Sequence, residues 1–89
     1  MKRAMFMRRV CIGAGDALLY KLSDPVEYKK DEKTNDVVVS AAIAPNGNKN
    51  VVIFPSDENG EILGYDSIVD LEDTLDHEEA LVKLGYQIM

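Results

Sequence analysis

A chain of 89 residues supports one hydrophobic core of modest size, hence one domain over 1–89. Its 46% hydrophobic and 29% charged residues exclude a disordered chain, and its net charge of −6 disfavours direct binding to nucleic acid. Cys11 is the single cysteine, which excludes an intramolecular disulfide and a multi-cysteine zinc site and fits a reducing cytoplasm.

Met1-Lys2-Arg3 resembles the basic start of a secretory signal. Arg8 and Arg9 interrupt the apolar stretch after Ala4-Met5-Phe6-Met7, so no signal core forms. No later apolar run approaches the roughly 20 residues that span a bilayer, so no membrane association is expected. Arg3 to Ile12 mixes apolar and basic residues, and residues 1–12 read as an edge strand or a basic N-terminal arm. Gly13-Ala14-Gly15 ends that pattern. A dinucleotide-binding fingerprint would need a third glycine where Leu18 stands, so a plain turn is the better reading.

Leu18 to Leu22 is a second strand, ended by Ser23-Asp24-Pro25, with Val26-Glu27-Tyr28 continuing extended. Asp16 as the cap of a short helix through Leu22 is the alternative. Lys29 to Asn35 has no apolar residue and reads as a solvated connection. Val37 to Ala44 and Val51 to Phe54 flank Pro45-Asn46-Gly47-Asn48, a β-hairpin signal with Asn-Gly suited to a type I′ turn. Val37, Val39, Ala41 and Ile43 share one face of the first of these strands. Val38, Ser40, Ala42 and Ala44 share the other, where small side chains admit another element or a second copy.

Ser56-Asp57-Glu58-Asn59-Gly60 reads as a turn. Part of a calcium loop could be traced through it, but Pro55 would hold the first ligand position and Asp66 the last, between strands instead of helices. Gly64 to Leu75 reads as irregular with one helical turn, from the spacing of Ile68, Leu71 and Leu75. Asp76 then caps a helix, with Glu79 at the capping-box position, Ala80, Leu81 and Leu84 as its apolar stripe and Gly85 ending it. Tyr86-Gln87-Ile88 returns as an edge strand. The expected fold is α+β: an antiparallel sheet of four or five strands with one C-terminal helix packed on it.

No catalytic or metal-binding constellation emerges, so neither an enzyme nor a cofactor is expected. His77 lacks a second ligand or nucleophile in the sequence, and reads as a surface residue beside carboxylates. Cys11, between Val10 and Ile12, reads as a buried small residue despite Arg8 and Arg9 nearby. What remains is charge asymmetry. Residues 1–50 hold nine Lys/Arg against six Asp/Glu, and residues 51–89 hold ten acids against Lys83 alone. Those acids are Asp57, Glu58, Glu61, Asp66, Asp70, Glu72, Asp73, Asp76, Glu78 and Glu79. Projecting from one side, they would imitate the closely spaced charge of a nucleic acid and steer basic proteins to it. An ordinary solubilising surface is the competing reading.

Leu19 to Pro25, Val37 to Ala41, Ile53 to Ile62, and Asp76 to Leu81 with Gly85-Tyr86 are similar to small bacteriophage and prophage accessory proteins of uncharacterised function. The resemblance covers residues 19–86 and implies a phage or mobile-element product acting in the cytoplasm of a bacterial host. That class includes anti-defence inhibitors, among them anti-CRISPR proteins. The expected function is therefore non-enzymatic binding of a host protein, such as a nucleic-acid-binding defence enzyme, through the ten acids. The alternatives are a small self-associating structural protein, a homo-oligomer, or a small-ligand binding or sequestering protein.

Overall fold

The apolar runs around Val37 and Val51 build a sheet covered on both sides at its centre. The computed structural model describes residues 1–11 and 16–89, so the Gly13-Ala14-Gly15 turn lies outside the described residues. The elements are β1 (Arg3–Val10), β2 (Asp16–Lys29), β3 (Glu32–Ile43), β4 (Lys49–Ser56), β5 (Val69–Glu72), α1 (His77–Leu84) and β6 (Gln87–Ile88). They form one six-stranded sheet in the order β5-β4-β3-β2-β1-β6. The α+β class holds, but the sheet has six strands and is mixed, because β6 lies parallel to β1. Direction explains this: α1 starts beside Asp16, and Val82 and Gly85 at its other end border a hollow with Lys2, so it carries the chain back to the level where β1 begins. The next strand can only run the way β1 does.

β3 occupies the middle of the sheet, and its Val37, Val38 and Val39 are all fully buried. A continuous apolar run of this kind belongs to a strand covered on both faces. On one face Val37, Val39 and Ala41 join Tyr20, Leu22, Val51 and Ile53 beneath Ala80 and Leu81 of α1. On the other, Val38 meets Ala17 and Leu19, with Val10 and Ile62 against them. Of the small-residue face, only Val38 joins the cluster that Ile62 of the loop after β4 packs against; Ala44 stays exposed. Gly60 of that loop approaches so closely that a Cβ there would stand 2.9 Å from Val10 Cγ1.

The sheet curls around α1. Five strand-to-strand steps of about 4.8 Å would separate the edges of a flat sheet by about 24 Å. Eight helical residues span only about 12 Å, yet α1 contacts both edge strands, β5 and β6.

Several local expectations are revised. The β3–β4 hairpin forms, but Gly47 alone in its turn has positive φ, and its N–H donates to Ala44 O at 2.8 Å. Asn46 has no positive φ, as a type I′ turn would need; Pro45 and Asn46 are instead the central residues of a type I turn, for which the proline φ near −65° is suited, with the left-handed Gly47 after it. The strand at Leu18 to Leu22 forms, without the alternative helix, but it starts at Asp16 and runs on through Ser23-Asp24-Pro25 to Lys29. Lys29 to Asn35 is largely the tip of the β2–β3 hairpin, turned at Lys30-Asp31 with Asp31 at φ 64°. No helical turn forms within 64–75; Val69 and Leu71 alternate with Asp70 and Glu72 as β5. Cys11 lies exposed just beyond the end of β1, not buried within it.

The helix starts and stops where its side chains dictate. Asp76 Oδ1 accepts the Glu78 N–H at 3.0 Å, and Gly85 ends the helix at φ 103°. Glu79 does not close a capping box. Its carboxylate accepts from the Thr74 hydroxyl at 2.9 Å, and that hydroxyl accepts the Asp76 N–H at 3.1 Å. Beyond the helix, Tyr86 is buried and its hydroxyl donates to Asp24 O at 2.7 Å, joining β6 to β2. Burial first, and the Asp24 carboxylate second, raise its pKa above 10.0. A raised phenol pKa stabilises the fold below about pH 10, and the contribution disappears as pH rises through the folded-state value. Tyr86→Phe should therefore lower stability by about 1 kcal/mol at neutral pH. It should also flatten the alkaline fall above pH 10, read from urea unfolding at pH 7 to 11.

Candidate acidic surface

The ten acids separate into two groups, by the element that carries each. Asp57, Glu58 and Glu61 belong to the loop crossing the face opposite α1, and Asp66 lies further along the same connection. Asp57 is engaged by its own turn, where Oδ1 accepts the N–H groups of Asn59 and Glu61 at 2.9 and 3.0 Å. Gly60 at φ 86° and the Gly60 N–H to Asp57 O bond of 3.1 Å complete that turn. Arg8 donates to the backbone carbonyl of Asn59, placing a cation against this group.

The other six, Asp70, Glu72, Asp73, Asp76, Glu78 and Glu79, lie towards one end of the sheet and all are exposed, Asp70 and Glu72 pointing to the loop face and Asp76, Glu78 and Glu79 standing at the start of α1 on the other. Register explains the gathering. Asp70 and Glu72 pair with Val52 and Asn50 on β4, and the Asp73 N–H donates to Lys49 O at 2.8 Å. Those β4 residues pair with Ser40, Ala42 and Ile43 at the end of β3. At the same end His77 Nε2 lies 2.7 Å from Asp16 O, and Asp16 is the partner of Ala41. The Thr74 hydroxyl links the Asp76 backbone to Glu79, so the connection between β5 and α1 is held by its own side chains.

Ion pairing leaves this group uncompensated. The salt bridges among the described residues are Arg9–Asp16 at 3.3 Å and Lys21–Asp36 at 3.6 Å, and neither uses any of the six. Asp70, Glu72 and Asp73 line a shallow groove together with Ala44, Asn48, Asn50 and Lys49, its one cation. Asn48, Lys49 and Asn50 were not singled out from the sequence; their place opposite Glu72 follows from hairpin register, which the Pro45–Asn48 turn sets. The field of the helix start also reaches the core. Burial raises the Tyr20 pKa above 10.0, with the Glu78 and Asp76 carboxylates adding to the rise.

His77 is half-buried, and with Asp16, Ala41, Ala42, Ile43 and Leu75 it borders an apolar hollow beside the acidic end. Its ring contacts a backbone carbonyl, so it ties α1 to β2. Among the described residues no three His, Cys, Asp or Glu side chains are grouped to hold a metal ion, and no helix is long and apolar enough to cross a membrane. Comparisons with protein-family models, with curated proteins and with solved structures returned no match.

Proposed function

We propose that this chain is a non-enzymatic, protein-binding accessory protein whose acidic end enters the basic nucleic-acid groove of a partner. The observation that carries the reading is the group of six exposed carboxylates between Asp70 and Glu79, with neither salt bridge among the described residues drawn on them. The summed field of the six carboxylates accelerates encounter with a basic surface. The resemblance to small phage and prophage proteins supports a setting in which the partner is a host defence enzyme. Asp57, Glu58, Glu61 and Asp66 extend the negative surface but do not centre it. A solubilising surface explains net charge equally well; gathering at one end favours binding.

The experiment is affinity capture from bacterial lysate with the tagged protein and with Asp70→Lys/Glu72→Lys. Both residues are exposed on an edge strand, so the exchange leaves the core intact. The expected result is one basic nucleic-acid-binding protein retained at 50 mM salt. It should be displaced by duplex DNA and lose about tenfold in affinity at 0.5 M salt, because the screening length shortens severalfold. The double variant should retain about a tenth or less. Equal capture by the double variant would overturn the reading.

A further inference from the structure

Both edges of the sheet can receive another strand, and they carry opposite charge. β6 pairs with only Arg3 and Ala4 of β1. From Met5 to Val10, β1 has β2 on one side, and among the described residues no further backbone hydrogen bond reaches its other side. Met5, Phe6 and Met7 are 43–50% exposed along this stretch, followed by exposed Arg8 and Arg9. The far edge is β5, four residues long, with exposed Asp70 and Glu72. An unpaired strand edge is a template for another strand unless its side chains forbid it.

Charge forbids some pairings and favours one. Two β1 strands side by side would bring four arginines together, and two β5 strands would do the same with acids. β1 against β5 joins opposites. The faces agree as well. Arg8 lies opposite Leu19, and Leu19 belongs to the cluster on the loop side of the sheet; Asp70 and Glu72 point to that side too, opposite Val52 and Asn50. Phe6 lies opposite Tyr20 on the helix side, the side of Val69 and Leu71. Joined with their helices on the same side, the edges place acids beside Arg8 and apolar residues beside Phe6. The bulge at Met7, between Phe6 and Arg8, twists the edge and selects a short partner, which a four-residue strand is.

We propose that the open Met5–Val10 edge of β1 pairs with the β5 edge of a second copy of this chain, continuing the sheet from one copy to the next. Each copy then offers one edge of each kind, so the contact is head-to-tail and grows into chains or closes into a ring. The inference goes beyond partner binding and stands without it, although Asp70 and Glu72 serve both.

Sedimentation velocity of the full chain from 5 to 500 µM tests it. At 50 mM salt the weight-average mass should rise with concentration past that of a dimer, and at 0.5 M salt association should weaken about tenfold. Asp70→Lys/Glu72→Lys and Met7→Glu/Arg8→Glu should each leave a monomer, and combining all four substitutions in one chain should restore association. Met7→Glu alone, whose exposed side chain anchors no loop and which leaves the Arg8–Asn59 contact in place, should also weaken association. Met7 and Arg8 lie outside the acidic end, so those variants should still capture a host partner. A monomer at every concentration, a dimer indifferent to both edge variants, or failure of the combined exchange would each overturn the proposal.

Discussion

Leu81→Ala should lower the unfolding free energy by about 3 kcal/mol. Leu81 is fully buried in the main cluster, which also holds Ala80, Tyr20, Val39 and Ile53. An eight-residue helix has almost no stability of its own, so its persistence depends on this contact. The strand beyond depends on it too, because the Tyr86 N–H donates to Leu81 O at 3.0 Å and Tyr86 begins the turn into β6. For a domain of this size the midpoint of thermal unfolding should fall by about 12–24 °C. The comparison variant is Val82→Ala, one residue on and 61% exposed, which should change stability by less than about 0.5 kcal/mol. Urea unfolding of both, with hydrogen exchange at the Gln87 and Met89 amides, separates local loss of α1–β6 from general weakening. Similar losses for the two variants would mean that the helix is not anchored as described.

Gly60→Ala is the second large effect, about 3 kcal/mol, and it has two separable causes. At φ 86° a side chain carries the strain of the left-handed region, about 1–2 kcal/mol. The new Cβ would also stand 2.9 Å from Val10 Cγ1, where neither the β1 strand nor the loop can yield freely. Val10→Ala should relieve the contact and not the backbone strain. The double variant, compared with Val10→Ala alone, should thus lose only about 1–2 kcal/mol from the glycine change. A loss under about 0.5 kcal/mol for Gly60→Ala in the parent would mean that the loop lifts away from the sheet. The same variant bears on the Arg8–Asn59 contact, which depends on the loop lying down.

These two sites also show what could be read from the sequence. Leu81 was legible, since Asp76, the apolar stripe and Gly85 mark a helix through local chemistry: a side chain that accepts N–H groups, a periodicity near 3.6 and a residue free to take positive φ. The β3–β4 hairpin was legible for the same reason, because two β-branched runs around Pro-Asn-Gly leave few alternatives. The type of turn was not, because Asn-Gly suits a type I′ turn while Pro45, one residue earlier, suits the first central position of a type I turn. Gly60 was recognised as part of a turn, but its approach to Val10 joins residues fifty positions apart, and no local pattern encodes that.

The acidic segment divides in the same way. Composition alone identified the ten carboxylates and the imbalance between the two halves of the chain. Which of them meet was decided by pairing: β5 was hidden because a four-residue edge strand borrows its hydrogen bonds from β4, and its own alternation is too short to outweigh the helical spacing of Ile68, Leu71 and Leu75. Once Asp70 and Glu72 are registered against Val52 and Asn50, and α1 starts beside Asp16, six acids share one end of the sheet and four do not. The direction of β6 and the exposure of Cys11 likewise follow from where α1 and β1 end in space. Sequence determined the elements whose cause is local, the central strands, the turns and the capped helix; tertiary structure alone decided register, edge strands and the grouping of charge, because each depends on backbone partners supplied by residues far along the chain.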